Sequence, residues 1–129
     1  MERLPVEQRD ILLVPFPFSD QSGRKVRPVI VISNNEFNAQ SEDIIVLGVT
    51  SNISRDFYTV RLTSNDLQEG KLFTECCIKV ENILKIDKQL VIKKIGKISN
   101  KTFETVKNNV QQNQTSVFFS ENYPVLFYF

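Results

Sequence analysis

The sequence predicts a small, mainly β domain with one substantial helix near its C-terminal end, an α+β arrangement. Short runs rich in Ile, Val, Leu and Phe recur between clusters of Gly, Pro, Asn and Ser, which is the pattern of strands and turns. One later segment, SNKTFETVKNNVQQ, instead spaces its apolar residues for a helix. Length bounds the answer: 129 residues suffice for one compact domain with a hydrophobic core and are too few for two ordinary ones.

The first run, DILLVPF, is ended by Pro17 and by the turn formers Ser19, Asp20, Ser22 and Gly23, so it reads as a strand leaving a hairpin. RPVIVIS is its returning partner. That strand begins with a cation, Arg27, set against Pro28, although its remaining residues read as core. The linking segment adds Arg24 and Lys25 with Asp20 as its sole acid, and a basic flap beside the sheet is expected there. NNEFNAQSE places Asn and Ser at turn or cap positions and predicts a loop with one helical turn. DIIVLGVTS resumes as a buried central strand through Ile44, Ile45, Val46, Leu47 and Val49.

FYTVRLTS alternates as a further strand, and NDLQEG offers an Asn cap and a Gly stop around one helical turn. LFTECCIKVENILKI follows as a strand of mixed character. With a period of two, Cys76, Ile78 and Val80 share one face and Cys77, Lys79 and Glu81 the other. The helix is expected to start at Ser99 or Asn100 and to pack on the sheet through Phe103, Val106 and Val110. The tail TSVFFSENYPVLFYF is rich in aromatics, and Pro124 interrupts any helix in it. Residues 1–114 are thus expected to form the domain, with 115–129 packed on it or extending it.

Composition narrows the function classes. Hydrophobic residues make up 41% and charged residues 24%, as in ordinary globular domains, and the formal charge is +1. A strongly basic nucleic-acid binder is excluded, so any RNA contact must use a local patch. The two cysteines, Cys76 and Cys77, are neighbours and cannot staple distant segments, which points to a reducing cytoplasm. The N-terminal MERLPVEQRD lacks the apolar stretch of a signal peptide, and no run reaches membrane-spanning length. No membrane partner is expected. With no histidine, Ser-His-Asp and Cys-His pairs and the usual zinc ligand sets are absent; with four glycines and no phosphate-loop pattern, nothing calls for a cofactor or a metal.

One constellation remains. If RPVIVIS and DIIVLGVTS pair antiparallel, the start of one strand lies beside the end of the other, and Arg27 neighbours Thr50 and Ser51. A guanidinium fork beside hydroxyls, under a flap carrying Ser19, Ser22, Arg24 and Lys25, suits a phosphodiester. The alternative is structural: a solvated strand edge at Arg27 and a turn at Thr50. For Lys79 and Glu81 the corresponding readings are a surface ion pair of little energetic weight, or a charge stabiliser and a general base.

Three blocks, RDILLVPFPFSDQSGRKVRPVIVIS, then VTS after a hydrophobic strand, then ILKIDKQLVIKKIGKIS before the last helix, resemble the MazF/PemK-like toxins of bacterial toxin-antitoxin systems. The resemblance implies a small SH3-like β-barrel with a C-terminal helix, a homodimer, and a metal-independent endoribonuclease acting on single-stranded RNA and blocked by a cognate antitoxin. It maps the family's arginine of the Arg-Pro pair to Arg27 and its strand-end threonine to Thr50. A basic-x-Asp pair that supplies acid and base in one branch falls on Lys79 and Glu81. Arg27, Thr50 and Glu81 are then the expected catalytic residues, and Ser19, Ser22, Arg24, Lys25, Ser51 and Lys79 the expected substrate contacts. The chain departs from the family at Arg9, where glycine is common, and at Lys79, which replaces arginine. Two other functions use the same barrel: a non-catalytic inhibitor of the gyrase-poisoning kind, whose Trp-Gly-Ile end this chain lacks, and a plain RNA- or protein-binding module.

Overall fold

The computed structural model describes residues 5–15, 25–53, 58–113 and 129. Seven strands form one antiparallel sheet: β1 (Asp10–Pro15), β2 (Val26–Val31), β3 (Asp43–Thr50), β4 (Thr59–Leu62), β5 (Leu67–Gly70), β6 (Cys76–Asp87) and β7 (Lys93–Ile98). Their order is β4-β6-β3-β2-β1-β7-β5, and the sheet curls into a half-barrel. Among the described residues there are two α-helices, α1 (Asn35–Gln40) and α2 (Asn100–Asn113). The Ser19, Ser22 and Arg24 flap and the tail, apart from Phe129, lie outside the described residues.

The alternation of side chains along the strands separates two apolar clusters, one on each face. Ile11, Ile30, Ile32, Ile45, Leu47 and Ile78 belong to the larger, and Phe103, Val106 and Val110 of α2 close over it as the helical stripe requires. Burying each such side chain stabilises the fold by about 1.5–3 kcal/mol. The opposite face carries Leu12, Val14, Val29, Val31, Ile44, Val46 and Ile86. This second cluster ends where the candidate site begins.

Local sequence sets the connections. Asn34 caps α1, its Oδ1 accepting from Phe37 N at 2.8 Å. Buried Ser33 and Asn38 satisfy one another, and Ser33 Oγ accepts from Ile45 N at 3.1 Å, fixing the β2–α1 corner against β3. Ser99 begins α2 as expected, its Oγ accepting from Thr102 N at 3.2 Å.

Two elements differ from the sequence expectation. In NDLQEG only the start is helical, a 3-10 turn at Ser64–Asp66 closed by Thr63 N donating to Asp66 Oδ2 at 2.8 Å. The remainder is strand β5, because it finds a partner in β7. β7 itself is concealed by its lysines. Lys94 and Lys97 fold over Asp10, which is wholly buried, with their Nζ atoms 3.2 and 3.6 Å from its Oδ1. A buried carboxylate needs such partners, so these cations serve the interior of the fold. Arg9 occupies the left-handed region with φ 80°. Its Nη1 donates to Gln68 Oε1 and to the Ile98 carbonyl, both at 2.8 Å.

Candidate active site

Arg27, Val29 and Val31 share one face of β2, and Ile44, Val46, Gly48 and Thr50 share the same face of β3. The ladder pairs Val31 with Val46 and Val29 with Gly48. Carried one step further, this register sets Arg27 opposite Thr50. The apolar cluster therefore gives way, at one end of two adjacent strands, to a cation facing a hydroxyl. On the other flank of β3, β6 pairs Lys79 with Gly48 and Cys77 with Thr50.

These residues enclose a cavity of about 80 Å³ walled by Arg27, Pro28, Gly48, Val49, Thr50, Lys79 and Asn82. One water needs only about 10–15 Å³, so a group of several heavy atoms can enter. The convergence of Arg27 and Thr50 follows the hairpin reading of the sequence. Thr50 Oγ1 accepts a hydrogen bond from Asn52 N at 3.1 Å. A hydroxyl has one proton and two lone pairs, so with a lone pair so engaged the proton is left to be donated, as an anion in the cavity would require.

Lys79 is on the wall, and Glu81 stands behind it with Oε2 3.8 Å from Lys79 Nζ. The other Glu81 oxygen, Oε1, is buried and has no hydrogen-bond partner among the described residues. Lys25 is exposed just ahead of β2, and Ser51 is exposed just past β3 and off the cavity wall. Ser19, Ser22 and Arg24 fall outside the described residues. Cys77 lies under this face, buried, while burial raises the Cys76 thiol above its ordinary value and keeps it protonated.

Asn82 is the residue that sequence reasoning missed. In a regular strand Lys79 and Asn82 project to opposite faces. Here the β3–β6 register jumps from Gly48–Lys79 to Leu47–Ile83, so Val80, Glu81 and Asn82 form a bulge and both Lys79 and Asn82 reach the cavity. No local signal in VENIL announces that jump.

A family model described as PemK-like, MazF-like toxin of type II toxin-antitoxin system matches residues 7–113. The endoribonuclease MazF of Staphylococcus saprophyticus is 29% identical over 98 residues, covering 76% of this chain and 79% of its own. The MazE-MazF complex (Form-II) of Deinococcus radiodurans superposes with a TM-score of 0.73 at 12% identity, covering 88% of this chain and 98% of that one. An endoribonuclease in complex with its cognate antitoxin, from a mycobacterial species, gives 0.67 at 15% identity, covering 89% and 97%. These two superpositions show a shared fold.

Proposed function

This chain belongs to the PemK-like, MazF-like toxin family of type II toxin-antitoxin systems, a family of endoribonucleases, and on that premise we propose that it cuts single-stranded RNA at short sequences without a metal ion. The observation that carries the reading is the meeting of Arg27 and Thr50 in one cavity.

In the proposed reaction a ribose 2′-oxygen attacks the adjacent phosphorus. The 2′-O–P bond forms, the P–5′-O bond breaks, and a 2′,3′-cyclic phosphate remains on one fragment. Arg27 grips two phosphoryl oxygens and stabilises the charge that grows on them. Thr50 donates its proton to the phosphate, and Lys79 adds a second positive charge at the wall. Glu81, whose Oε2 lies 3.8 Å from Lys79 Nζ beside the cavity, accepts the 2′ proton. The 5′-oxygen takes a proton from solvent and leaves as a hydroxyl. Single strands are the substrate because their unstacked bases can be splayed into side pockets.

We further assign to this toxin a homodimeric state, a cytoplasmic location and a cognate antitoxin that covers the cavity; the antitoxin-bound mycobacterial endoribonuclease of the same fold supports the last. Among the described residues no helix is long and apolar enough to cross a membrane.

The test is incubation of the purified protein with a long single-stranded RNA in chelator, beside Arg27→Ala and Thr50→Ala. Discrete cuts leaving 5′-hydroxyl ends, lost in both variants, are expected. Intact RNA at high protein concentration would refute the reaction and leave a binding module.

A further inference from the structure

The bulge in β6 brings a carboxamide to the cavity and holds it there. All three atoms nearest to a Cβ built on Gly48 belong to Asn82: Nδ2 at 2.6 Å, Cγ at 3.4 Å and Cβ at 3.6 Å. The Asn82 side chain therefore lies directly over the one β3 residue that has no side chain, two positions before Thr50 on the same face. Any other residue at position 48 would displace it.

The same carboxamide has no hydrogen-bond partner among the described residues. The other wall groups that point to chemistry suit a phosphate: two cations and a hydroxyl. Asn82 does not. A neutral amide adds little to the grip on an anion, but it presents a donor and an acceptor side by side, which matches the edge of a nucleobase. Asparagine pairs in this way with adenine, its oxygen accepting from the N6 amino group and its NH₂ donating to N7. Bases of single-stranded RNA offer these edges freely.

We propose that Asn82 reads the base adjoining the scissile phosphate and selects adenine there. The inference rests on the RNA-cleaving reading, with Arg27 and Thr50 fixing the phosphate and Asn82 the neighbouring base. Glycine at position 48 is then a specificity element, since it leaves the space that the Asn82 amide nitrogen occupies.

The experiment maps cut sites of the full chain and of Asn82→Ala and Asn82→Asp on one long single-stranded RNA, by sequencing fragment ends. The native chain should show adenine enriched at one position beside the cut. Asn82→Ala should lower that selectivity about tenfold while cutting continues, and Asn82→Asp should shift preference towards cytosine, whose N4 amino group a carboxylate accepts. Melting temperatures of all three chains check that folding is retained. An unchanged motif in both variants would overturn the proposal, as would the absence of adenine enrichment in the native chain. A second arm separates this from the cleavage reading: the Arg27→Ala chain is titrated with short oligoribonucleotides that differ in a single adenine, with and without Asn82→Ala. Adenine discrimination that vanishes with Asn82 supports base reading even if no RNA is cut, and equal affinities overturn it.

Discussion

Replacing Gly48 with alanine separates the stability of the sheet from the placement of Asn82. The added methyl would stand 2.6 Å from Asn82 Nδ2, a distance no pair of such atoms keeps, so one partner must move. The amide is the end of a flexible side chain and no backbone atom is among the three nearest, so it is Asn82 that yields. Gly48 does not occupy the left-handed region, and alanine there is free of backbone strain. Removing a glycine from a strand interior gains about 0.5–1 kcal/mol. Forcing Asn82 from its rotamer costs about 0.5–1.5 kcal/mol. These nearly cancel, so Gly48→Ala should unfold within about 1 kcal/mol of the native chain in urea, a shift of roughly 2–6 °C at most in melting temperature. Base selectivity beside the cut should nevertheless fall as far as in Asn82→Ala. The pair should also couple: in Gly48→Ala/Asn82→Ala the clash is gone, and the double variant should be about 0.5–1.5 kcal/mol more stable than the sum of the single changes predicts. Strict additivity, or a loss above about 2 kcal/mol in Gly48→Ala without rescue, would show that the methyl strikes something other than the amide and would refute the reasoning.

Arg9 tests the left-handed turn before β1: Arg9→Ala keeps the unfavourable φ and loses both side-chain hydrogen bonds, whereas Arg9→Gly loses the bonds but relieves the backbone. Glycine should therefore exceed alanine by about 1 kcal/mol in chemical denaturation. Glu81→Gln should lower the single-turnover rate by about 10²–10⁴-fold; a loss below about tenfold would rule Glu81 out as the base. The Glu7 carboxyl is held below its ordinary value by the Lys97 ammonium, whose Nζ donates to Oε1 at 3.0 Å. Because its folded value is depressed, its contribution is complete above the ordinary value of 4.5 and is lost as pH falls through the lowered one. Melting temperature should thus fall less steeply below that pH in Glu7→Gln than in the native chain, and added salt should shrink the difference, since the Glu7 side chain is 49% exposed.

Strands β1, β2, β3, β4 and β6 and the α2 stripe were legible because each is a local pattern: aliphatic runs between turn formers, or apolar residues at helical spacing. Arg27 beside Thr50 was legible because a hairpin register is nearly forced once two buried strands are joined by a short connection. β5 and β7 were not. Their pairing depends on lysines turned inward to a buried Asp10, and a lysine-rich segment gives no local sign that a carboxylate waits beneath it. Asn82 was hidden for a different reason. Period-two reasoning assigns faces correctly only while the ladder is regular, and the bulge after Lys79 resets the count.

Why a strand of buried residues should begin with a cation now has a physical answer, and Pro28 is part of it. β2 pairs with β1 as far down as Val26, but its ladder with β3 starts only at Val29 opposite Gly48. Proline has no N–H to donate, and inside a sheet it ends pairing on the side where a donor is missing. Below Val29 the β2–β3 ladder does not continue, and the cavity lies there, walled by Pro28 on one side and by Val49 and Thr50 on the other. On the other flank β6 stays paired with Gly48, Val49 and Thr50, and its bulge, between the Gly48–Lys79 and Leu47–Ile83 pairs, brings Asn82 to the same cavity. Apolar packing holds β2 and β3 in register up to Val29 and Gly48, and beyond that point the paired backbone is replaced by side chains that can bond a ligand. Arg27 is placed where the core ends and the β2–β3 ladder has stopped, and it lines the cavity from a strand still paired with β1. The neighbouring proline, easily read as a mere turn former, is what keeps β3 from closing over it.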